Sequence, residues 1–342
     1  MPTASVLQYA TTCFEGMRFY RGIDGRLRLF RPDCNCARML MSSTRISLPA
    51  FPPAELQKLI EALVSIDGPK WLPKTRPGTF LYLRPTMIAN SASLGVQKPN
   101  KAMLYVIACC FPSFDEPAGF LARAPPASTS CGVLSKPGLK LLASREDTIR
   151  AWPGDFGFAK VGANYGPSLL AQGEARARGY DQILWLLGKD CEVTEAGASN
   201  FFIVWRNAHG QVELVTAPLD DKVILDGVTR RSVLGLAKQR LTASGSHLEP
   251  VAVVERNYTM ADLLDAITEC RLIEAFAAGT AFFISPVSTI HFRGIDLDIP
   301  MKEDGGTTGP YAKVLKTWLK DIMYGHVEHE WGVVVPDRGV GP

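Results

Sequence analysis

No apolar run in this 342-residue sequence reaches the ~20 residues a membrane-crossing helix needs. The longest, at residues 102–111 and 275–284, are about half that length and are read as buried strands. The first residues show neither a basic stretch nor an apolar one behind it, so no secretory signal is expected. The chain is read as intracellular: cytoplasmic, or mitochondrial if its true start lies further upstream. Charge of one sign is also missing. Lys and Arg number 37 against 34 Asp and Glu, a net +3, which provides no electrostatic footprint for nucleic acid or an anionic membrane. The eight cysteines show no paired CxxC spacing, which argues against a disulfide framework and a zinc site. Of only five histidines, His326 and His329 are the one close pair and are read as a solvated turn, so no metal is expected. Repeats, low-complexity tracts and heptads are absent. What is there is ordinary globular text, 46% hydrophobic and 21% charged, long enough for two domains. A small-molecule partner is favoured.

Periodicity supplies the organisation. Residues 26–31, 79–88 and 103–111 read as strands, and 55–64 as a helix behind Pro52 and Pro53. Between 122 and 138 a cluster of Pro, Ser, Thr and Gly breaks both periods and marks a domain boundary. Beyond it, 168–177 reads as a helix, 182–187 and 201–205 as strands, and 229–241 as a helix with an apolar face. Thr259 and Asp262 form a capping-box pattern. A strand pair follows at 272–288, and a last helix at 311–324 ends at Gly325.

The most unusual text is GDFGFAKVGANYG at residues 154–166, where one lysine sits among glycines and apolar side chains. Desolvation favours a neutral amine, the form that makes a Schiff base with a carbonyl, so Lys160 is a candidate cofactor lysine. The alternative is a lysine that snorkels from a strand end. Pyridoxal chemistry demands an acid for the ring nitrogen, donors for a phosphate and a partner for the phenolic oxygen. Glu195, in VTEAGASN, suits the first, or is an exposed hairpin carboxylate. Val228 and Thr229, after Gly227 at an expected helix start, suit a dianion, or simply cap that helix. Arg84, in the apolar text LYLRPT, is costly to bury unless it meets an anion or a structural carboxylate. Tyr165 suits the phenolic oxygen, or packs. Gly279, Thr280 and Ala281 interrupt an apolar run, as a ligand-approaching backbone or a bulge does.

The motifs together, in order, resemble the branched-chain amino acid aminotransferases of the fold type IV pyridoxal phosphate family. They are YATTCFEGMRFYRG (9–22), LRLFRPDCNCARM (27–39), LYLRPTMI (81–88), SLGVQKP (93–99) and IRAWPG (149–154), then KVGANYG (160–166), VTEAGASNFF (193–202), ILDGVTRRSVL (224–234), GTA (279–281) and EHEW (328–331). The resemblance implies a two-domain α/β fold with pyridoxal 5'-phosphate at the domain interface: a small domain over 1–128, shortened at its N-terminus, a linker over 129–139, and a large cofactor-binding domain over 140–342. It implies that Lys160 is the catalytic lysine, that Glu195 faces the ring nitrogen and Tyr165 the phenolic oxygen, and that Arg84, Val228, Thr229 and Thr280 hold the phosphate. Thr280 and Ala281 take the substrate carboxylate, and Tyr9 and Phe14 line the side-chain pocket. The implied reaction is reversible transamination of leucine, isoleucine or valine with 2-oxoglutarate, by a homodimer. Alternatives are a D-amino acid transaminase, an aminodeoxychorismate lyase, a transaminase of a specialised peptide pathway, and an inactive paralogue that binds a partner. Three departures stand out: family members have some tens of residues before the segment that here begins at Met1, FFIS at 282–285 replaces a CxxC of mammalian members, and Ala198-Ser199 replaces a common Thr-Met.

Overall fold

The computed structural model describes residues 2–92, 94–110, 137–243, 247–280 and 283–338. The chain begins α1 (Ser5–Tyr9), β1 (Thr12–Phe14), β2 (Met17–Arg21), β3 (Leu27–Phe30), α2 (Pro32–Arg45), α3 (Pro53–Trp71), β4 (Phe80–Ala89) and β5 (Ala102–Cys110). It continues β6 (Leu139–Ala143), α4 (Ser168–Ala177), β7 (Gln182–Leu187), β8 (Glu192–Ala196), β9 (Ser199–Arg206) and β10 (Val212–Thr216). Then come α5 (Val228–Arg240), β11 (Ala252–Glu255), α6 (Met260–Thr268), β12 (Leu272–Gly279), β13 (Phe283–Phe292), β14 (Ile295–Asp298), α7 (Pro310–Tyr324) and β15 (Gly332–Val335).

β4 organises the first sheet. One of its edges pairs with β5, and the other is shared by β2 and β1. β3 pairs with β2, and the closing strand β15 pairs with β3. The expected boundary falls between β5 and β6, where residues 111–136 lie outside the described ones. Although β15 follows the whole second unit in the chain, it hydrogen-bonds into the first sheet. Leu56, Ile60 and Val64 of α3, with Cys36 and Met39 of α2, close over Phe19, Leu29 and Leu83 in one core. The α3 spacing runs beyond the expected 55–64 to Trp71, and Pro53 occupies its first turn, where a missing N–H costs nothing. β5 corrects an expectation: it is a strand, but not a buried one. Met103, Tyr105 and Ile107 are 46%, 38% and 45% exposed, and period-2 spacing puts them on one face.

The second sheet runs β11-β10-β9-β12-β13-β6-β7-β8, and β8 pairs again with β9, so six strands close on themselves. Closure explains the unbroken apolar text of β9, since both of its faces are covered. Phe201, Ile203 and Trp205 pack with Leu184, Val287 and Ile290 in one core. Phe202 and Val204, on the alternate side, join Phe276 under α5 and α7, the two phenyl rings stacking at 5.1 Å.

The α7 helix shows how side chains from other elements finish helix ends. Its N-cap, Gly309, has no side chain, and Glu274 of β12 substitutes: Oε2 accepts from Tyr311 N at 3.1 Å and Oε1 from Ala312 N at 2.7 Å. A Cβ at Gly309 would lie 1.8 Å from Glu274 Oε2, so the glycine is obligatory. The α6 helix has its cap in sequence, the expected Thr259–Asp262 box. Burial pushes the Glu274 carboxyl up to about 8, against the pull of its two backbone donors. A native value above the unfolded one means the folded state keeps the proton longer. This group's contribution to stability is therefore full in acid and falls as pH rises from the ordinary carboxylate range to about 8. Urea unfolding across that window is expected to show the loss in the wild-type protein and a flatter profile in Glu274→Gln; identical slopes would count against it.

Candidate active site

A cavity of about 490 Å³ lies between the first sheet and the closed barrel. Its walls come from Phe14 and Gly16, Arg38 of α2, Tyr82 and Arg84 of β4, Lys160, Gly162 and Tyr165, the β8–β9 hairpin, the start of α5 and the end of β12.

Lys160 is pinned by its backbone and released at its side chain. Its N–H donates to Ser42 Oγ at 2.9 Å, and its carbonyl accepts from Phe14 N at 3.1 Å. Val161 bridges to Cys13, and Asn164 Nδ2 donates to the Phe156 and Ala159 carbonyls at 3.0 and 2.9 Å. A Cβ at Gly162 would lie 2.4 Å from Thr12 Cγ2, which accounts for part of the glycine-rich text. The Lys160 amine donates to Tyr165 Oη at 3.2 Å and lies 4.9 Å from the centre of the Phe14 ring. Phe14 and Tyr165 themselves pack at 5.1 Å.

Glu195 is buried rather than exposed on its hairpin. Ala196 pairs with Ser199, so Gly197 and Ala198 form a two-residue turn; Gly197, at φ +58°, supplies the left-handed backbone it needs. Glu195 Oε1 accepts from Asn200 Nδ2 and from Leu225 N, both at 3.2 Å. Oε2 accepts no directed hydrogen bond, although Arg150 Nη1 forms an ion pair with it at 2.9 Å. Burial pushes the carboxyl above its usual range, and Arg150 is the strongest opposing charge. The result is a buried acceptor with a lone pair still to satisfy.

At the start of α5, Gly227 makes no side-chain cap and the first turn carries no acid. The orphan amides there, with buried Thr229, make a ready anion site. Arg38 stands beside them. Its Nε and Nη2 bind Glu15 at 2.8 Å each, and Nη1 donates to the Asp226 carbonyl at 2.8 Å. Arg84 lines the same cavity, but its Nε and Nη2 donate to Tyr82 Oη at 3.1 and 2.7 Å, and its guanidinium lies 4.6 Å from the centre of the Phe14 ring. Thr280 is in the wall, its hydroxyl donating to the Gly16 carbonyl at 3.4 Å. Ala281 lies outside the described residues. Tyr9 is not among the lining residues; it ends α1, with its hydroxyl donating to the Leu94 carbonyl. Sequence reasoning passes over Arg38, Arg150, Ser42, Tyr82 and Asn200. The only signal for the arginines is charge within otherwise apolar or small text, CNCARM and IRAWPG.

Removing one member of a buried ion pair strands the other, at about 3–5 kcal/mol. Arg150→Met is expected to lower the unfolding free energy by about 3 kcal/mol in urea titrations, and Glu195→Gln added to it to recover part of that loss. A double variant no more stable than the single one would show that the pair carries no such energy.

The chain matches the family described as Amino-transferase class IV over residues 12–290. The mitochondrial branched-chain-amino-acid aminotransferase of Schizosaccharomyces pombe is 43% identical over 333 residues, 97% of this chain and 72% of that one. The cytosolic enzyme of Saccharomyces cerevisiae is 42% identical over 340 residues, 98% and 83% of the two chains. Among solved structures, the T.th. branched-chain amino acid aminotransferase complexed with N-(5'-phosphopyridoxyl)-L-glutamate superposes with a TM-score of 0.71 at 26% identity, covering 98% of this chain and 93% of that one. A match spanning most of the chain, and relatives this similar along nearly all of it, make the chain a member of the class IV amino-transferase family, in its branched-chain-amino-acid aminotransferase branch.

Proposed function

We propose that the protein transfers the amino group of leucine, isoleucine or valine reversibly to 2-oxoglutarate, with pyridoxal 5'-phosphate as cofactor. The observation that carries this reading is one cavity whose walls hold the Lys160 amine, the unsatisfied Glu195 Oε2 and the uncapped start of α5. These suit the three ends of the cofactor: aldehyde, ring nitrogen and phosphate. A volume of about 490 Å³ falls within the usual range for a cofactor with its substrate. The names of the relatives support the branched-chain substrates.

Bound here, pyridoxal phosphate supplies a carbonyl that condenses with amines and a protonated ring that draws electrons from the reacting carbon. Lys160 Nζ would hold the cofactor through its aldehyde, and its amine, in the cavity wall, is the base placed to take the α-proton of the amino acid. Tyr165 Oη, 3.2 Å away, steadies that nitrogen. Glu195 Oε2 would hold the ring N–H, and the Arg150 guanidinium opposes the upward pull of burial on that carboxyl. The amides of Val228 and Thr229, the Thr229 hydroxyl and Arg38 hold the phosphate, with Thr280 across the cavity. The Arg38 contact at the foot of α5 supports that role better than the contacts of Arg84, which with Tyr82 is placed to meet a carboxylate. Thr280 and Ala281 take the α-carboxylate, and Phe14 faces the branched side chain. Such a pocket separates substrates by only about 1–3 kcal/mol per methylene, which tolerates all three amino acids. The two units, about 1–128 together with the returning β15 and the stretch from about 140 up to that strand, close on the cofactor, and a second copy covers the exposed Met103, Tyr105 and Ile107 of β5 in a homodimer.

Purified protein supplied with pyridoxal phosphate is expected to make glutamate from leucine and 2-oxoglutarate, and Lys160→Ala to lose about 10²–10⁴-fold or more in kcat. Full turnover in that variant would sink the reading. Ile107→Asp is expected to shift sedimentation from dimer to monomer; an unchanged coefficient would place the interface elsewhere.

A further inference from the structure

Arg18 lies in β2, two residues after Gly16 of the cavity wall, yet does not line the cavity itself. It is 3% exposed, and its guanidinium packs against two rings, 4.2 Å from the centre of Phe80 and 4.4 Å from that of Phe283. Phe80 opens β4 in the first sheet and Phe283 opens β13 in the barrel, so the stack crosses the junction between them. Phe283 is also conformationally unusual. Its φ is +58°, the left-handed region that a bulky side chain enters only at a cost. It pairs with Gly279, the last residue of β12 and the neighbour of Thr280. A strained residue persists only where its surroundings over-determine it, and such residues gather at ligand clamps. A second link joins the same two segments, from Thr280 Oγ1 to the Gly16 carbonyl at 3.4 Å. A void of about 20 Å³, bounded by Gly16, Arg18, Thr229, Thr280 and Phe283 among others, separates the stack from the cavity. It has room for no more than a single water. Arg18 therefore stands directly behind the wall that holds Thr280.

We propose that Arg18 is a positioning residue: through Phe283, which pairs with Gly279, it holds Gly279 and Thr280 at the end of β12 in place, and so sets affinity for the carboxylate that amino acid and 2-oxo acid substrates share. The inference rests on the reading of Thr280 as part of the carboxylate site. Arginine suits the task because its guanidinium is planar and weakly hydrated and stacks on aromatic faces, which a lysine ammonium does less well. An interaction of this kind acts on ligand binding more than on the chemical step, because the residue touches neither the reacting atoms nor Lys160.

The test compares Arg18→Met, Arg18→Lys, Phe283→Leu and the double variant Arg18→Met/Phe283→Leu. Expected is a rise of about 10-fold in KM for leucine and 2-oxoglutarate together in Arg18→Met, with kcat within about 3-fold and partial recovery in Arg18→Lys. The double variant is expected to raise KM no further than the more affected single one, since the stack of Arg18 on Phe283 is lost in both. Hydrogen exchange of the peptide spanning 276–287, measured with pyridoxal phosphate present, is expected to quicken in Arg18→Met and Phe283→Leu while the rest of the chain is unchanged. The exchange readout separates the two proposals. A wild-type protein with no turnover overturns the proposed function, and exchange then still decides the role of Arg18. Unchanged KM and unchanged exchange overturn the inference, as do additive effects or a general loss of protection across the fold. If Arg18→Met does not fold, Phe283→Leu and Arg18→Lys carry the same comparison.

Discussion

A carboxylate and a guanidinium that could not be buried apart hold the site together. Glu15 and Arg38 meet through two bonds of 2.8 Å in the interior, where either charge alone would be several kcal/mol too costly. The pair is used in every direction. Glu15 also takes Asn35 Nδ2 at 2.8 Å, and its backbone N–H reaches the Pro85 carbonyl at 2.8 Å, while Arg38 extends to the Asp226 carbonyl. Through these contacts the β1–β2 turn, α2, β4 and the foot of α5 become one rigid frame, and the cavity is the space that frame encloses with the barrel.

The same logic repeats around the cavity. Glu195 is tolerated in the interior because Arg150 and two N–H donors face it, and the α7 N-terminus is finished by Glu274 from a neighbouring strand. In each case a polar group is buried against a partner from another element. Glu195 Oε2 carries the Arg150 ion pair but no directed hydrogen bond, and it belongs to a residue of the cavity wall, where a ligand donor would complete it. The family to which the chain belongs uses a cofactor with a ring N–H, and that is the group such an atom fits.

Much of this is legible in the text of the chain, and for local reasons. The helix at 168–177 and the strand at 182–187 are readable at the bounds the structure has, because each carries its own periodicity and end signals. The family is legible because ten motifs fall in one order. The burial of β5 is misjudged because an apolar strand at a sheet edge has the same text as one in a core, and only its neighbours tell them apart. Arg38 escapes notice because nothing near residue 38 in the chain announces that Asp226, 188 positions away, will lie beside it.

The sequence by itself determined a share of the elements, such as the helix at 168–177 and the strand at 182–187, the capping box at Thr259 and the family, since these depend on residues a few positions apart or on ordered motifs. Tertiary structure decided which charges meet: Arg38 with Glu15 and the foot of α5, Arg150 with Glu195, Arg84 with Tyr82, and Arg18 between the rings of two sheets. The reason is physical. A buried charge is tolerated only against its partner, and the partner is supplied by whichever surfaces pack together, a property of the closed barrel and its junction with the first sheet rather than of any stretch of chain.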